Sequence, residues 1–200
     1  MIKLIFNPKN YLNIKLTQNS EQKHYLDVVI PFSISIVLSL ILLIINSIDN
    51  TINIFYKDIG LLGSITNFFQ SMPGFYIAAL AAIATFPSES MNRPMRDPAP
   101  YLLKDVSEKD IDSNRDILSR RRFLCYMFAY LAFISIVFFF MSVLLSFLYS
   151  FNIFIIDSFW LDFGYFLSCF LVFYITSQAI IITFLGLWYL GSRIHFNDNS

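Results

Sequence analysis

Four long stretches of this chain carry no charged residue, and each is long enough to cross a bilayer as a helix. They cover residues 28–46, 60–86, 123–149 and 163–190. A hydrocarbon core about 30 Å thick needs roughly 20 apolar residues at a rise of about 1.5 Å each, and every backbone polar group must be paired inside it. The pattern therefore predicts an all-α integral membrane protein with four transmembrane helices in a domain of residues 28–190.

Composition also indicates a bilayer as the solvent. Of the 200 residues, 56% are hydrophobic and 14% are charged, whereas soluble domains carry about 25% charged residues. Fourteen basic and fourteen acidic residues cancel, so no net field favours nucleic acid and no direct nucleic-acid partner is predicted. Cys125 and Cys169 lie in apolar runs, where we expect free thiols that pack as small hydrophobic groups.

The positive charges lie almost entirely on one side of the predicted spans. The arm 1–27, the loop 87–122 and the tail 191–200 hold thirteen of the fourteen Lys and Arg residues, and the two short links hold only Lys57. Loops rich in Lys and Arg stay in the cytoplasm. Four crossings also put both termini on the same side, so we expect an N-in/C-in topology with the arm, loop and tail cytoplasmic.

The basic arm precedes the first span. Pro8 and several asparagines favour a loosely structured arm over the alternative, an amphipathic surface helix from Ile2 to Leu16. The first span has Pro31 in its first turn, where the missing backbone donor costs least.

Loop 87–122 is the longest hydrophilic segment, and its charges nearly cancel. It is either a solvated connector or a small folded platform, since loops of this length are uncommon unless functional or disordered. The mixed charge of the loop favours selective docking of a soluble protein over nonspecific binding of polyanions. We expect the loop to dock this partner together with the arm, through Met95, Tyr101, Leu102 and Leu103.

The second span carries a stripe of small residues. Gly74, Ala78 and Ala82 recur every four residues after a Pro-Gly pair, so one helix face lets another membrane helix approach closely. We expect this face to be the seam of a homo-oligomer.

Uncharged polar residues lie near the middle of two spans. Asn67 and Gln70 precede Pro73 in the second span, and Thr176 and Gln178 lie in the fourth. They either form hydrogen bonds between helices or line a pore or ligand cavity, and the lack of a continuous polar stripe favours hydrogen bonds. Pro73 is expected to kink its span, and the kink with its neighbouring amides is predicted to be the bistable element of a sensor.

Arg120, Arg121 and Arg122 directly precede the third span. At the level of the headgroups each cation gains about 1 kcal/mol from anionic lipid. They are therefore expected to anchor this span to the membrane surface.

No combination of residues indicates an enzyme. The two histidines, His24 and His195, have no further ligand at metal-binding spacing, and no nucleophile elbow or phosphate-binding loop occurs. No charged residue lies deep in a predicted span, where a proton relay would need one. We predict no catalytic residue, no metal and no cofactor.

Two segments carry a resemblance to a known family. The sequences GFYIAALAAIATFP at Gly74 to Pro87 and SRRRFLCYMFAYLAF at Ser119 to Phe133 resemble the KwaA family, the membrane subunits of Kiwa anti-phage defence systems. The resemblance implies an oligomeric sensor in the bacterial inner (cytoplasmic) membrane. It also implies a cytosolic partner, KwaB, which is similar to effectors that act on nucleic acid.

These observations leave two hypotheses on function. The first is a non-enzymatic membrane sensor or scaffold that docks a cytosolic effector through loop 87–122. The alternative is a small channel or membrane-disrupting effector, favoured by the polar residues of the second and fourth spans.

Overall fold

The computed structural model describes residues 7–17, 20–48, 60–85, 87, 89–94, 99–103, 115–150 and 158–193. Within these ranges, four helices are long and apolar enough to cross a membrane. The prediction of an all-α protein with four transmembrane helices is confirmed.

The first span is one continuous helical segment that begins well before its apolar run. An α-helix, Ser20–His24, passes through a π-helical turn, Tyr25–Val29, into the α-helix Ile30–Ile48. In the π turn the N–H of Ile30 donates to the carbonyl of Tyr25, five residues earlier. Pro31 directly follows and has no N–H to donate, so the regular helical bonding is already altered where the proline enters.

The second, third and fourth spans are the α-helices Leu61–Thr85, Arg120–Ser150 and Ser158–Arg193. The first span packs on the fourth and the second on the third, and the third and fourth join the two pairs. The second span contains Pro73 and buries one residue every seven against its neighbours: Leu62, Phe69, Tyr76 and Ile83. This spacing is that of a helix face that packs along its whole length.

Aromatic rings and one glycine fix the contacts between the spans. The ring centroids of Phe69 and Phe138 lie 4.2 Å apart between the second and third spans. Between the third and fourth, a Cβ atom on Gly186 would overlap the Cε atom of Met127, which is fully buried. The absence of a side chain at Gly186 therefore allows this close approach.

The arm and the loop fold together at one end of the helices. A 3-10 helix, Asn7–Tyr11, is followed by a three-stranded antiparallel sheet of β1 (Lys15–Leu16), β2 (Pro100–Leu103) and β3 (Arg115–Ile117), in that order. Tyr101 pairs with Lys15 on one side and with Ile117 on the other. A short helix, Glu89–Asn92, also belongs to the loop. We call residues 7–17, 87, 89–94, 99–103 and 115–119 the arm–loop layer.

This layer differs from the loosely structured arm that the sequence suggests. Tyr11 and Ile14 are 0% and 2% exposed, and Tyr11 stacks on Tyr130 of the third span with ring centroids 5.5 Å apart. The described part of the arm is therefore held by burial of its apolar residues and by pairing with the loop. No long amphipathic helix forms among residues 7–17.

Candidate functional site

A buried ion pair lies where the first span meets the arm–loop layer. Lys23 and Asp27 are only 7% and 2% exposed, and Nζ of Lys23 donates to Oδ2 of Asp27 at 2.6 Å. The two residues are four apart on one helix, which brings their side chains together on one face. Charged residues are almost never fully buried unless paired, and here each residue is the partner of the other.

Tyr11 connects this pair to the arm. Its hydroxyl donates to Oδ1 of Asp27 at 3.4 Å, and its backbone carbonyl accepts from Nζ of Lys23 at 3.1 Å. The same Nζ lies 4.3 Å from the centre of the Tyr11 ring. Burial, with the nearby Asp27 carboxylate, raises the pKa of Tyr11 well above its ordinary value of 10.0. The phenol therefore stays protonated and remains a donor.

Gln178 connects the pair to the third and fourth spans. Its Nε2 donates to the backbone carbonyl of Asp27 at 2.8 Å, and its Oε1 accepts from the hydroxyl of Tyr130 at 2.8 Å. In a regular helix that carbonyl would accept from the N–H of residue 31, which is Pro31 here. The amide of Gln178 thus occupies an acceptor that the proline leaves without its usual donor.

We call Tyr11, Lys23, Asp27, Tyr130 and Gln178 the clasp. It joins the arm, the first span, the third span and the fourth span through side-chain hydrogen bonds. Of its members, the sequence predicted only Gln178; the ion pair was missed because the uncharged run begins at Val28, which left Lys23 and Asp27 in the arm. The signal was nonetheless present, since Lys23, Asp27 and Pro31 recur every four residues.

The other predicted polar residues of the spans make no hydrogen bond to the clasp in the described ranges. Thr176 donates to the carbonyl of Val172 in its own helix at 2.7 Å. Asn67 and Gln70 are exposed on the surface of the second span, and Pro73 is half-buried. Of the four predicted polar residues, Asn67, Gln70, Thr176 and Gln178, only Gln178 makes hydrogen bonds between helices in the described ranges, and the predicted polar residues of the two spans do not come together.

The small-residue stripe lies on the outside of the bundle. Gly74, Ala78 and Ala82 are exposed, and a Cβ atom on Gly74 would meet nothing within 4 Å. The opposite face of the same helix carries its buried residues. Within one copy of the chain the stripe therefore packs against no other described helix.

The three arginines begin the third span, and two of them bind neighbouring segments. Arg122 makes a bidentate pair with Asp116 of β3, at 2.8 and 3.3 Å, and Nη1 of Arg121 donates to the carbonyl of Ala84 at 2.9 Å. The last carbonyls of a helix have no partner within it, so Arg121 caps the second span. Arg120 is only 7% exposed. These protein contacts come in addition to the predicted role in anchoring to headgroups.

The predicted docking residues differ widely in exposure. Tyr101 is 9% exposed and Leu102 is half-buried, whereas Leu103 is 51% exposed, as is Ile117 of β3. Met95 lies outside the described residues. Side chains of paired residues in a sheet share a face, so Ile117 lies beside Tyr101 in the register.

A cavity of about 950 Å³ lies between the arm, β2 and the start of the first span. Its lining includes both members of the ion pair, exposed charged residues and apolar residues: Leu12, Ile14, Lys15, Glu21, Lys23, His24, Tyr25, Asp27, Val28, Val29, Leu102 and Leu103 among them. No group of three or more His, Cys, Asp or Glu side chains that could hold a metal occurs in the described ranges. The cavity is large enough to hold a small ligand, and the ion pair in its wall is already engaged in the hydrogen bonds of the clasp.

No family model, curated protein or solved structure matches this chain. The resemblance to the KwaA family stays a prediction from the two quoted segments.

Proposed function

We propose that this multi-pass membrane protein is a non-enzymatic sensor and scaffold that docks a cytosolic effector on its arm–loop layer. The observation that carries the proposal is the attachment of this layer to the helix bundle. Tyr11 ties the layer to the first and third spans, Gln178 extends the clasp to the fourth span, and Arg121 of the third span donates to the end of the second. A protein bound on the layer is therefore coupled mechanically to the helices in the membrane.

The proposed orientation puts this layer in the cytoplasm. It rests on the thirteen of fourteen Lys and Arg residues in the arm, the loop and the tail. Reporter fusions after residues 50, 105, 155 and 200 should then report outside, inside, outside and inside. An outside signal at residue 105 would reverse the orientation and exclude cytosolic docking.

The docking surface that we propose is centred on Leu103 and Ile117. Both are about half exposed on adjacent strands, and large apolar side chains in this position are typical of protein interfaces. Tyr101 lies on the same face of the sheet as these two residues but is buried, and it pairs with both neighbouring strands. If the resemblance holds, the partner is similar to KwaB and the setting is anti-phage defence at the bacterial inner membrane.

Co-purification tests this proposal. The tagged full chain should retain a KwaB-like effector expressed with it, and the double variant Leu103→Ser, Ile117→Ser should retain at least tenfold less, since exposed apolar contacts at an interface centre cost about 1.4 kcal/mol or more when removed. Ile48→Ser is the matched control, because Ile48 is 81% exposed at the other end of the first span. Equal retention by the double variant and wild type would refute docking at this surface.

The channel hypothesis gains no support from the polar residues of the fourth span. Both ends of the Gln178 amide are engaged in hydrogen bonds with Tyr130 and Asp27. This engagement supports hydrogen bonding between helices as the role of Gln178, and the scaffold function is the one that we propose.

A further inference from the structure

The cavity beside the arm crosses the boundary between the charged and apolar parts of the first span. One wall is the helical segment from Glu21 to Val29, which covers about 12 Å at 1.5 Å per residue. Charged residues occur on it up to Asp27, and the uncharged run begins at Val28. The cavity therefore passes from polar to apolar surroundings over the length of a phospholipid headgroup and the first acyl carbons.

The Lys, Asp and Glu side chains that line the cavity are two cations and two anions. Lys23 and Asp27 are buried and neutralise each other across 2.6 Å. Lys15 and Glu21 also line the cavity, and both are exposed. A ligand that enters the cavity thus meets one cation and one anion that are accessible to it.

We propose that this cavity binds phosphatidylethanolamine. The Lys15 ammonium donates to the lipid phosphate, and the primary ammonium of the lipid donates to the Glu21 carboxylate, both as charge-assisted hydrogen bonds. The apolar part of the lipid lies along Val28 and Val29. Tyr25, which is 57% exposed, lies at the interfacial level where tyrosine is enriched.

This ligand fits better than two other common phospholipids. Phosphatidylcholine has a quaternary ammonium without N–H groups, so it cannot donate to Glu21. Phosphatidylglycerol has a net negative charge and no cation, so its hydroxyls can offer Glu21 only neutral donors, and its net charge is repelled by the carboxylate. The proposal does not depend on a docked effector, because the lipid contacts involve the purified chain alone.

Native mass spectrometry of the delipidated full chain in detergent tests the proposal. The chain is titrated with phosphatidylethanolamine, phosphatidylcholine and phosphatidylglycerol, and we expect the first to bind most tightly. Glu21→Gln should remove the preference for phosphatidylethanolamine over phosphatidylcholine, with a loss of affinity of about tenfold for the former. Lys15→Gln should weaken the binding of phosphatidylethanolamine and of phosphatidylcholine to a similar extent, because both lipids contain the phosphate.

Arg93→Gln is the control, since Arg93 is exposed and lies outside the cavity lining, and this substitution removes the same charge as Lys15→Gln.

The double variant Lys15→Glu, Glu21→Lys restores a cation and an anion in the cavity. It should bind phosphatidylethanolamine better than Lys15→Glu alone or Glu21→Lys alone. Circular dichroism on each variant verifies folding. Equal affinity of wild type for the three lipids, or an unchanged lipid preference in Glu21→Gln, would overturn the proposal.

Discussion

At the scale of single residues, the clasp is a group of buried polar side chains at the end of the bundle that carries the arm–loop layer. Lys23 and Asp27 are both buried, and either charge without the other would destabilise the fold. Removing one partner of a buried pair leaves the other charge uncompensated and costs about 3–5 kcal/mol. Asp27→Asn should therefore lower the free energy of unfolding by this amount, as measured by denaturant unfolding in detergent.

The matched double variant Lys23→Met, Asp27→Asn should be less destabilised than Asp27→Asn alone, because no unpaired charge remains. Lys15→Met, which removes an exposed lysine, should change the unfolding free energy little. If Lys23→Met fails to rescue Asp27→Asn, the ion pair does not act as a unit and Asp27 contributes through its other hydrogen bonds.

Gln178 and Pro31 are expected to be coupled although they lie on different helices. The amide of Gln178 donates to the carbonyl that Pro31 leaves without a helical donor. Gln178→Leu should thus cost about 1–3 kcal/mol, the range for a buried polar group without a partner. In the Pro31→Ala background a backbone N–H is available again, so the same substitution should cost less. Additive costs in this double-mutant cycle would contradict the coupling.

At the scale of helices and strands, the apolar runs predicted the spans because a bilayer imposes the same requirement on every segment that crosses it. The first boundary was not predicted, since the helix begins at Ser20 and its charged turn is stabilised by contacts with Tyr11 and Gln178. The sheet was not predicted either. Its strands have two to four residues and join positions as distant as Lys15 and Tyr101, so no local periodicity indicates it.

Two glycines on the fourth span provide a test of helix packing. Gly186 is buried where the third span crosses, and an added Cβ would overlap Met127; Gly191 is exposed and an added Cβ would meet nothing within 4 Å. Gly186→Leu should destabilise the protein by about 1–3 kcal/mol or more through overpacking. Gly191→Leu should be close to neutral. Similar unfolding free energies for the two variants would show that the spans do not approach at Gly186.

At the scale of the whole molecule, the second span has one face packed within the bundle and one face left open. The second span buries Leu62, Phe69, Tyr76 and Ile83 within one copy, while Gly74, Ala78 and Ala82 remain on its surface. Lipid tails are as apolar as the side chains, so helices associate in a bilayer through close packing, which small residues permit. We therefore expect a second copy of the chain to cover this face.

Size measurement in mild detergent checks this expectation. Ala78→Leu and Ala82→Leu should each shift the protein from an oligomer toward the monomer, because the larger side chain keeps the second helix from approaching closely. Val143→Leu, on an exposed position of the third span, should leave the size unchanged. The unfolding free energy of the monomer should be the same in all these variants, since none of these positions is buried within one copy. If both alanine variants keep the wild-type size, this face contacts lipid rather than a second copy of the chain.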